Sequence, residues 1–273
     1  MSALKIGADP ELFINGTDGQ VRSAFQLIPG TKHAPHPVNK GAVQVDGMAL
    51  EFNIDPVEDE DTFVTNINTV MGELRKMVPK EFVFSQQAVA HFPKGFMNNQ
   101  PNAARELGCD PDFNAYYAQE NPAPPYETKD VRTAAGHVHI GWTEGEDPHG
   151  KAHFLNACAL ARQLDFFLGA PALLIGDSTE RHDVYGKAGA FRPRPYGMEY
   201  RVLGNFWLNE DKLKRWVYRN AVRAYHTLVD DGIDLYAKFG DMAKEALDRG
   251  DTYDITKMVR GPLKDFKVLE GAQ

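Results

Sequence analysis

Residues 180–205 read ERHDVYGKAGAFRPRPYGMEYRVLGN. They place five cationic side chains and four glycines near a carboxylate, Glu199. The end of the stretch, GMEYRVL, alternates polar and apolar residues with period 2, which is typical of a half-buried strand. On such a strand Glu199 and Arg201 point to the same face, and the segment before it is predicted to be an arginine-bearing loop. The stretch therefore predicts either a site that holds a metal ion and a polyphosphate together, or a structural Glu–Arg pair on a sheet.

The composition is that of an ordinary globular protein with a sizeable core, since 42% of the 273 residues are hydrophobic and 25% are charged. A net charge of -8 argues against a general nucleic-acid binder and is compatible with a site that collects divalent cations. The two cysteines, Cys109 and Cys158, are too few for a disulfide framework or a zinc knuckle. The first residues do not resemble a signal peptide or an anchor, and no apolar run has transmembrane length. The sequence therefore predicts a cytoplasmic protein without a membrane partner.

A second group of carboxylates occurs near the start of the chain. Residues 4–14, LKIGADPELFI, predict a first strand that is interrupted at Asp9 and Pro10. Asp9 and Glu11 are two residues apart and share a face, while Pro10 cannot donate to a ladder and so predicts an edge or a bulge. Carboxylates at a bulge are often functional, and the alternative is a turn with a solvated Glu11.

Residues 42–54, AVQVDGMALEFNI, predict a strand or a tight hairpin. Glu51 stands there among apolar residues, and a carboxylate on a largely buried strand is costly unless it is paired or binds a metal. Asp46 precedes Gly47, so it either joins this acidic group or belongs to a turn.

Residues 132–142, RTAAGHVHIGW, predict a strand with His137 and His139 on one face. Two histidines on one face beside glycines indicate a ligand or general-base position. One histidine of such a pair is often only structural, and the sequence does not decide which.

The remaining patterns predict scaffold. Residues 93–125 are irregular and predict a segment that shapes a substrate cleft or forms a lid. No repeat or low-complexity linker divides the chain, which favours one domain. The other predicted elements are a hairpin turn at 15–19, a helix at 61–77, a strand at 82–92, an apolar helix at 154–168, a strand or helix end at 171–175, a long helix capped by Asn209, and a small helix at 241–249 before a short tail.

The order of these motifs is more specific than any one of them. In chain order they are GADPELFI, VQVDGMALEFN, AAGHVHIG and YGKAGAFRPRPYGMEYR. Together they resemble the glutamine synthetase-like carboxylate–amine ligases, which include glutamate–cysteine ligase, and more closely the phage-type COOH–NH2 ligases, type 2. The resemblance covers about residues 4–205. It implies one ligase domain over 1–273, with a helical extension from about residue 206.

The resemblance implies an α+β, glutamine synthetase-like catalytic fold, in which a curved antiparallel sheet forms a funnel backed by helices. It implies ATP at one end and about two or three Mg²⁺ or Mn²⁺ ions between the carboxylates and the phosphates. ATP would phosphorylate a carboxylate to an acyl phosphate, and an amine would then displace the phosphate to form an amide. The substrates would be a small-molecule or peptide carboxylate and amine. A phage-encoded member would act in the host cytoplasm.

The resemblance also implies roles for individual residues, and we expect these side chains to converge in one cleft. The first-strand motif Asp-Pro-Glu departs from the Glu-x-Glu of many members of the superfamily, and Asp46 does not align cleanly. The metal-binding positions are matched by Asp9, Glu11, Glu51, His137, His139 and Glu199. The nucleotide-binding residues expected are Arg181, Lys187, Arg192, Arg194 and Arg201, and those expected to be catalytic are Arg192, Arg201 and His139.

Two alternatives stand beside the ligase. His137, His139 and Glu144 have the H-x-H-x4-E spacing of a cupin-like metal enzyme, although Val131 and Tyr200 stand where cupin motifs need glycine and histidine. Bound Fe or Zn without ATP affinity would favour that class. A non-catalytic nucleotide-binding protein of the same fold would bind ATP without forming product.

Overall fold

The computed structural model describes residues 3–105, 112–122 and 130–272. Its fold is α+β, with one large antiparallel sheet and helices packed on one side of it. The strands are β1 (Lys5–Asn15), β2 (Val21–Arg22), β3 (His36–Val38), β4 (Gly41–Asp46), β5 (Ala49–Ile54), β6 (Val83–Ser85), β7 (Val89–His91), β8 (Phe113–Asn114), β9 (Gln119–Glu120), β10 (Val131–Thr133), β11 (Gly136–Gly141), β12 (Ala190–Arg194) and β13 (Gly197–Tyr200).

The helices follow the same chain order. They are α1 (Glu60–Met77), α2 (Asn102–Arg105), α3 (Lys151–Leu164), α4 (Ala170–Ala172), α5 (Thr179–Val184), α6 (Asp211–Val229), α7 (Leu235–Phe239), α8 (Met242–Arg249) and α9 (Thr252–Arg260). A π-helical segment, Asp165–Gly169, extends α3. Among the described residues, every helix is too short or too polar to span a bilayer.

The sheet has the strand order β3-β4-β5-β1-β11-β13-β12-β8-β9, and all neighbouring strands are antiparallel. The end of β1 also pairs with β2 and β6. The turn predicted at 15–19 is confirmed, since β1 and β2 form a hairpin around it. A separate pair, β7 and β10, forms a second small sheet.

The sheet has an apolar face and a polar face because side chains alternate along each strand. On the central strands the apolar residues are fully or almost fully buried against the helices; they are Ile6 and Ala8 of β1, Val138 and Ile140 of β11, and Met198 and Tyr200 of β13. The residues between them point to the other face. This alternation delivers the polar residues of three central strands to one surface.

The first strand is continuous, so the predicted interruption at Asp9 and Pro10 is wrong. Strand β1 lies inside the sheet, and Pro10 is the last residue of its ladder with β11. From Glu11 onward β1 pairs with β5 instead. Pro10 is tolerated because its missing N–H coincides with this change of partner.

Two predicted strands are each divided in the structure. Residues 82–92 form β6 and β7, and residues 132–142 form β10 and β11, with the two halves in different sheets. In the second case Ala135 lies between the two strands, and its N–H donates to the Glu11 carboxylate at 2.8 Å. A carboxylate distant in sequence therefore satisfies the backbone at the start of β11.

The segment predicted as an arginine-bearing loop is strand β12, which forms a hairpin with β13. Its Pro193 is accommodated because β12 pairs with β8 only at Ala190 and Phe191, leaving one edge open beyond them. Residues 171–175 form a helix end, which was one of the two alternatives.

The C-terminal region is more helical than predicted. Asn209 does not cap α6; it ends a 3₁₀ turn, and Glu210 occupies the cap position without a side-chain hydrogen bond. Helix α7 was not predicted, and the expected short tail contains α9. The lid predicted at 93–125 lies partly outside the described residues, at 106–111 and 123–125.

Asp165 is a buried carboxylate between the sheet and the helices. It accepts hydrogen bonds from the hydroxyls of Tyr200, at 2.6 Å, and Tyr116, at 2.8 Å. Burial raises the pKa of Asp165 to about 7. The protonated form is therefore favoured in the folded protein far above the ordinary pKa of an aspartate.

Asp165→Asn is expected to make the free energy of unfolding less dependent on pH. Because the folded pKa, about 7, exceeds the ordinary value of 3.8, the contribution of Asp165 to stability is complete below pH 3.8 and is lost as pH rises through 7. The free energy of unfolding of the variant should therefore rise by a few kcal/mol relative to the parent across this window. Urea unfolding of both proteins over this range measures the difference. A difference that does not change with pH contradicts the assignment.

Candidate metal and phosphate site

The register of the central strands aligns functional side chains across the polar face. Residues directly opposite each other on antiparallel strands have side chains on the same face. One row across four strands consists of Gly7, His139, Glu199 and Arg192. The neighbouring pair Asp9 and His137 lies beside this row. Residues that are far apart in sequence therefore meet on one surface.

Asp9, His137 and Glu199 form a candidate metal centre. Each offers a ligand atom, and these atoms all lie within 4.8 Å of one another. The Nδ1 atom of His137 is 3.5 Å from Asp9 Oδ1 and 3.4 Å from Glu199 Oε1. Glu199 is fully buried and His137 is almost so, which makes the site inaccessible to bulk water on most sides.

His139 lies beside this centre and contacts two groups. Its Nδ1 is 2.5 Å from the Tyr196 hydroxyl, and its Nε2 is 2.9 Å from Asp9 Oδ1. Asp9 Oδ1 and His139 Nε2 are nevertheless both buried without a hydrogen-bond partner among the described residues, because the contact between them lacks hydrogen-bond alignment. The buried Asp9 oxygen also converges with ligand atoms of His137 and Glu199, and this arrangement fits a bound cation.

Glu199 is surrounded by three arginines. Arg194 donates to Glu199 Oε2 from both Nε, at 3.1 Å, and Nη2, at 2.6 Å. Arg192 Nη1 is 3.3 Å from the same oxygen, and Arg201 donates to Oε1. Against the effect of burial, the charges of Arg201 and the histidines hold the pKa of Glu199 well below its usual value. Glu199 is therefore ionised at any working pH.

Arg201 is held in place by further contacts. It donates to the Tyr185 hydroxyl and lies 3.3 Å from both Asp112 Oδ2 and His137 Nδ1. Tyr185 and Asp112 were not singled out by the sequence, and Asp112 falls in the irregular segment predicted as a lid. These contacts fix a buried guanidinium next to the candidate metal centre.

A second acidic group lies on β1, β4 and β5. Glu11 and Glu51 are directly opposite each other, and Gln44 donates to Glu51 Oε2 at 2.6 Å. Burial and the charge of Asp46 raise the pKa of Glu11 to about 7. Burial and the neighbouring carboxylates also raise the pKa of Glu51 well above its usual value, and burial raises that of Asp46. These carboxylates repel one another, and a bound cation would relieve the repulsion.

The two remaining candidates are Arg181 and Lys187. Arg181 is fully buried, and its guanidinium donates to the backbone carbonyls of Val202 and Arg201. It lies over the same Tyr185 ring as Arg201, and its phosphate contact stays a prediction. Lys187 is exposed in the turn that leads to β12, and its phosphate contact stays a prediction.

A cavity of about 310 Å³ adjoins the candidate metal centre on the same face. Gly7 and Gly141 lie at its base, and Ile54 and Pro56 line it on β5 and just beyond. His139 and Tyr196 line it as well, so one imidazole separates the cavity from Asp9. The additional lining residues are Ala3, Lys5, Ala8, Thr143 and Glu144.

Comparison with known proteins places the chain in a family. The sequence profile of the "Phage phiEco32-like COOH.NH2 ligase-type 2" family matches residues 124–272, more than half of the chain. The chain belongs to this family. The name of this family describes ligases that join a carboxylate to an amine. The family match includes the histidines of β11 and the β12–β13 hairpin, whereas the acidic residues of β1 and β5 precede it.

Other comparisons give little more. A search of curated protein sequences finds no match. Among solved structures, the crystal structure of a bifunctional glutathione synthetase from Pasteurella multocida is similar, with 10% sequence identity and a TM-score of 0.46. The superposition covers 99% of this chain and 48% of that one, so the chain spans about half the length of the synthetase.

Proposed function

We propose that this carboxylate–amine ligase depends on ATP and Mg²⁺ or Mn²⁺ and forms its amide through an acyl phosphate. The observation that carries the proposal is the division of charge on the polar face. Carboxylates predominate on β1, β4 and β5, whereas on β12 and β13 three arginines contact the single carboxylate of Glu199. Divalent cations prefer oxygen ligands, and guanidinium groups bind phosphate oxygens in pairs. A triphosphate that is bound with its cations needs carboxylate oxygens for the cations and guanidinium groups for the phosphates.

The donor atoms fit divalent cations. Asp9, His137 and Glu199 would hold one ion, supported by their mutual distances and by the orphaned Asp9 Oδ1. Glu11 and Glu51 would hold another, and we add Asp46 to that group. The carboxylate oxygens of these residues suit Mg²⁺ or Mn²⁺. The bound ions would supply neutralisation of the charge that develops on the transferred phosphoryl group.

The arginines would position the phosphates. Arg192 and Arg194 share Glu199 in the protein alone, and phosphate oxygens offer them a second acceptor on the same face. Arg201 is held in place by Tyr185 and Asp112. From this fixed position it would stabilise negative charge on the phosphates. His139 would face the same region through Nε2.

The proposed reaction has two steps. An oxygen of the substrate carboxylate attacks the γ-phosphorus of ATP, the bond to the ADP oxygen breaks, and ADP leaves. The amine nitrogen then attacks the acyl carbon and loses a proton, and the carbon–oxygen bond to phosphate breaks. The products are an amide, ADP and phosphate. The substrates belong to the class of small-molecule or peptide carboxylates and amines.

The cavity beside His139 suits the base and sugar of the nucleotide. It is mostly apolar and has the size of a small ligand pocket. Tyr196, which lines the cavity, lies two residues after Arg194 of β12. The triphosphate would extend from it across His139 toward Glu199. The cavity would thereby place the phosphates over the candidate metal centre.

Gly141→Leu is expected to fill the cavity and raise KM for ATP by about tenfold or more, which corresponds to about 1.4 kcal/mol of binding. A Cβ at Gly141 would approach no atom closer than 3.6 Å, so the side chain can enter the cavity without a clash at its first carbon. Steady-state kinetics with ATP as the varied substrate measure the effect. Gly72→Leu, at an exposed helix position with open space around it, is the matched control. An unchanged KM for Gly141→Leu would show that the nucleotide does not bind in this cavity.

We also infer that the sheet is of the glutamine synthetase-like type and that residues 1–273 form one catalytic domain. The single-domain proposal is supported by the hydrophobic core, in which Leu263 and Val268 belong to the same cluster as Ile6 and Val138. The cupin-like alternative loses its carboxylate ligand. Glu144 is exposed at the cavity and is not part of the metal-binding group found among the described residues.

Phosphate release tests the proposed function. The purified protein, ATP and Mg²⁺ are incubated with panels of carboxylates and amines, and hydroxylamine serves as a general amine that traps an acyl phosphate as a hydroxamate. We expect release that requires a carboxylate and is abolished by EDTA, together with an amide product in the mass spectrum. Release without a carboxylate requirement, or ATP binding without any product across the panels, contradicts the ligase mechanism and favours a non-catalytic nucleotide-binding protein.

A further inference from the structure

We propose that the hydroxyl of Tyr196 positions the metal centre by acting through the imidazole of His139. The inference rests on the proposed function, because it takes the group of Asp9, His137 and Glu199 as the site of a divalent cation. Tyr196 is half-buried in the turn between β12 and β13. Its hydroxyl lies 2.5 Å from His139 Nδ1, while the other ring nitrogen, Nε2, lies 2.9 Å from Asp9 Oδ1.

The position of Tyr196 is itself fixed by the backbone. Its carbonyl accepts hydrogen bonds from the N–H groups of Trp142, at 2.9 Å, and Thr143, at 3.1 Å, just beyond the end of β11. The same strand carries His139. The distance between the phenol and the imidazole is therefore set by one rigid hairpin packed against one strand, and it does not depend on a flexible loop.

The contact decides which ring nitrogen faces the cation site. An imidazole ring can turn about its bond to Cβ and exchange nitrogen for carbon at each edge. Engagement of Nδ1 by the hydroxyl leaves Nε2 aimed at Asp9, and Nε2 is buried there without a hydrogen-bond partner among the described residues. His139 thereby holds Asp9, a ligand of the candidate centre, and loss of an outer group that orients a metal ligand costs about 10- to 100-fold in metal affinity.

Tyr196→Phe separates this role from the packing of the ring, because it removes only the hydroxyl. We expect the Kd for Mn²⁺, measured by electron paramagnetic resonance without nucleotide, to rise by about 10- to 100-fold. The melting temperature without metal should stay close to that of the parent. Tyr225→Phe, on α6 behind the sheet, is the matched control and should leave Mn²⁺ binding unchanged.

A double-mutant cycle tests whether the hydroxyl acts through His139. Tyr196→Phe should weaken Mn²⁺ binding in the parent and have little further effect in His139→Ala. An unchanged Kd for Tyr196→Phe, or an equal loss in both backgrounds, overturns the inference while leaving the proposed metal centre in place. Absence of Mn²⁺ binding to the unsubstituted protein overturns the metal centre and this inference together, so the two failures are distinguishable.

Discussion

Glu199→Gln is expected to reduce the proposed ATP-dependent ligation by about 10³-fold or more and to abolish tight Mn²⁺ binding. Glu199 is fully buried and supplies a ligand atom to the candidate metal centre, together with Asp9 and His137. Glutamine keeps the shape but loses the charge that attracts a divalent cation. The substitution also leaves three guanidinium groups without their shared counter-ion, which makes the site strongly repulsive toward any cation.

The same loss of charge can lower stability, so folding must be measured with activity. Asp9→Asn provides a second isosteric variant on another strand, where the Asp9 carboxylate contacts the imidazoles of His137 and His139. Glu245→Gln, at an exposed position on α8, is the control for a simple change of net charge. Melting temperatures, Mn²⁺ titrations and product formation are compared across the three. Near-normal product formation by Glu199→Gln at saturating Mg²⁺ would exclude Glu199 as a metal ligand.

Arg192→Lys and Arg194→Lys are each expected to reduce kcat by about tenfold or more although the net charge is kept. A guanidinium presents two parallel donors to phosphate oxygens, whereas an ammonium is a compact point charge on a different stem. Arg194 already uses two nitrogens, Nε and Nη2, on one Glu199 oxygen, and the same two donors are available to a phosphate group. Lysine cannot reproduce that paired arrangement.

Steady-state kinetics with ATP as the varied substrate measure both variants. Arg215→Lys is the matched control, because Arg215 lies on α6 and forms ion pairs with Glu60 and Asp61 in the first turn of α1. We expect this control to keep the parent's kcat and KM. If Arg192→Lys and Arg194→Lys behave in the same way as the control, the arginines are structural partners of Glu199 and do not clamp phosphate.

Much of the site was predictable because it depends on local geometry. Side chains two residues apart on a strand share a face whatever the strand pairs with, so Asp9 with Glu11, and His137 with His139, could each be placed on a common face from spacing alone. Glu51 was singled out because a carboxylate among apolar residues on a strand is costly to bury unless it is paired or binds a metal. The order of four short motifs also predicted the ligase family, which the family match confirms.

Other features depended on contacts that no local pattern contains. The row of His139, Glu199 and Arg192 exists only through strand register, and Asp46 joins Glu51 only through the β4–β5 pairing. Residues 132–142 are divided into two strands at the place where Ala135 donates to Glu11, more than a hundred residues earlier.

The sequence by itself determined which residue types alternate on each strand, because alternation is a property of the extended backbone. Tertiary structure alone decided which strands pair, which of them end early, and which nitrogen of His139 meets Tyr196. These outcomes depend on the burial and hydrogen-bonding of groups that are distant along the chain. Their free energies arise only when the sheet has formed, so no window of sequence contains them.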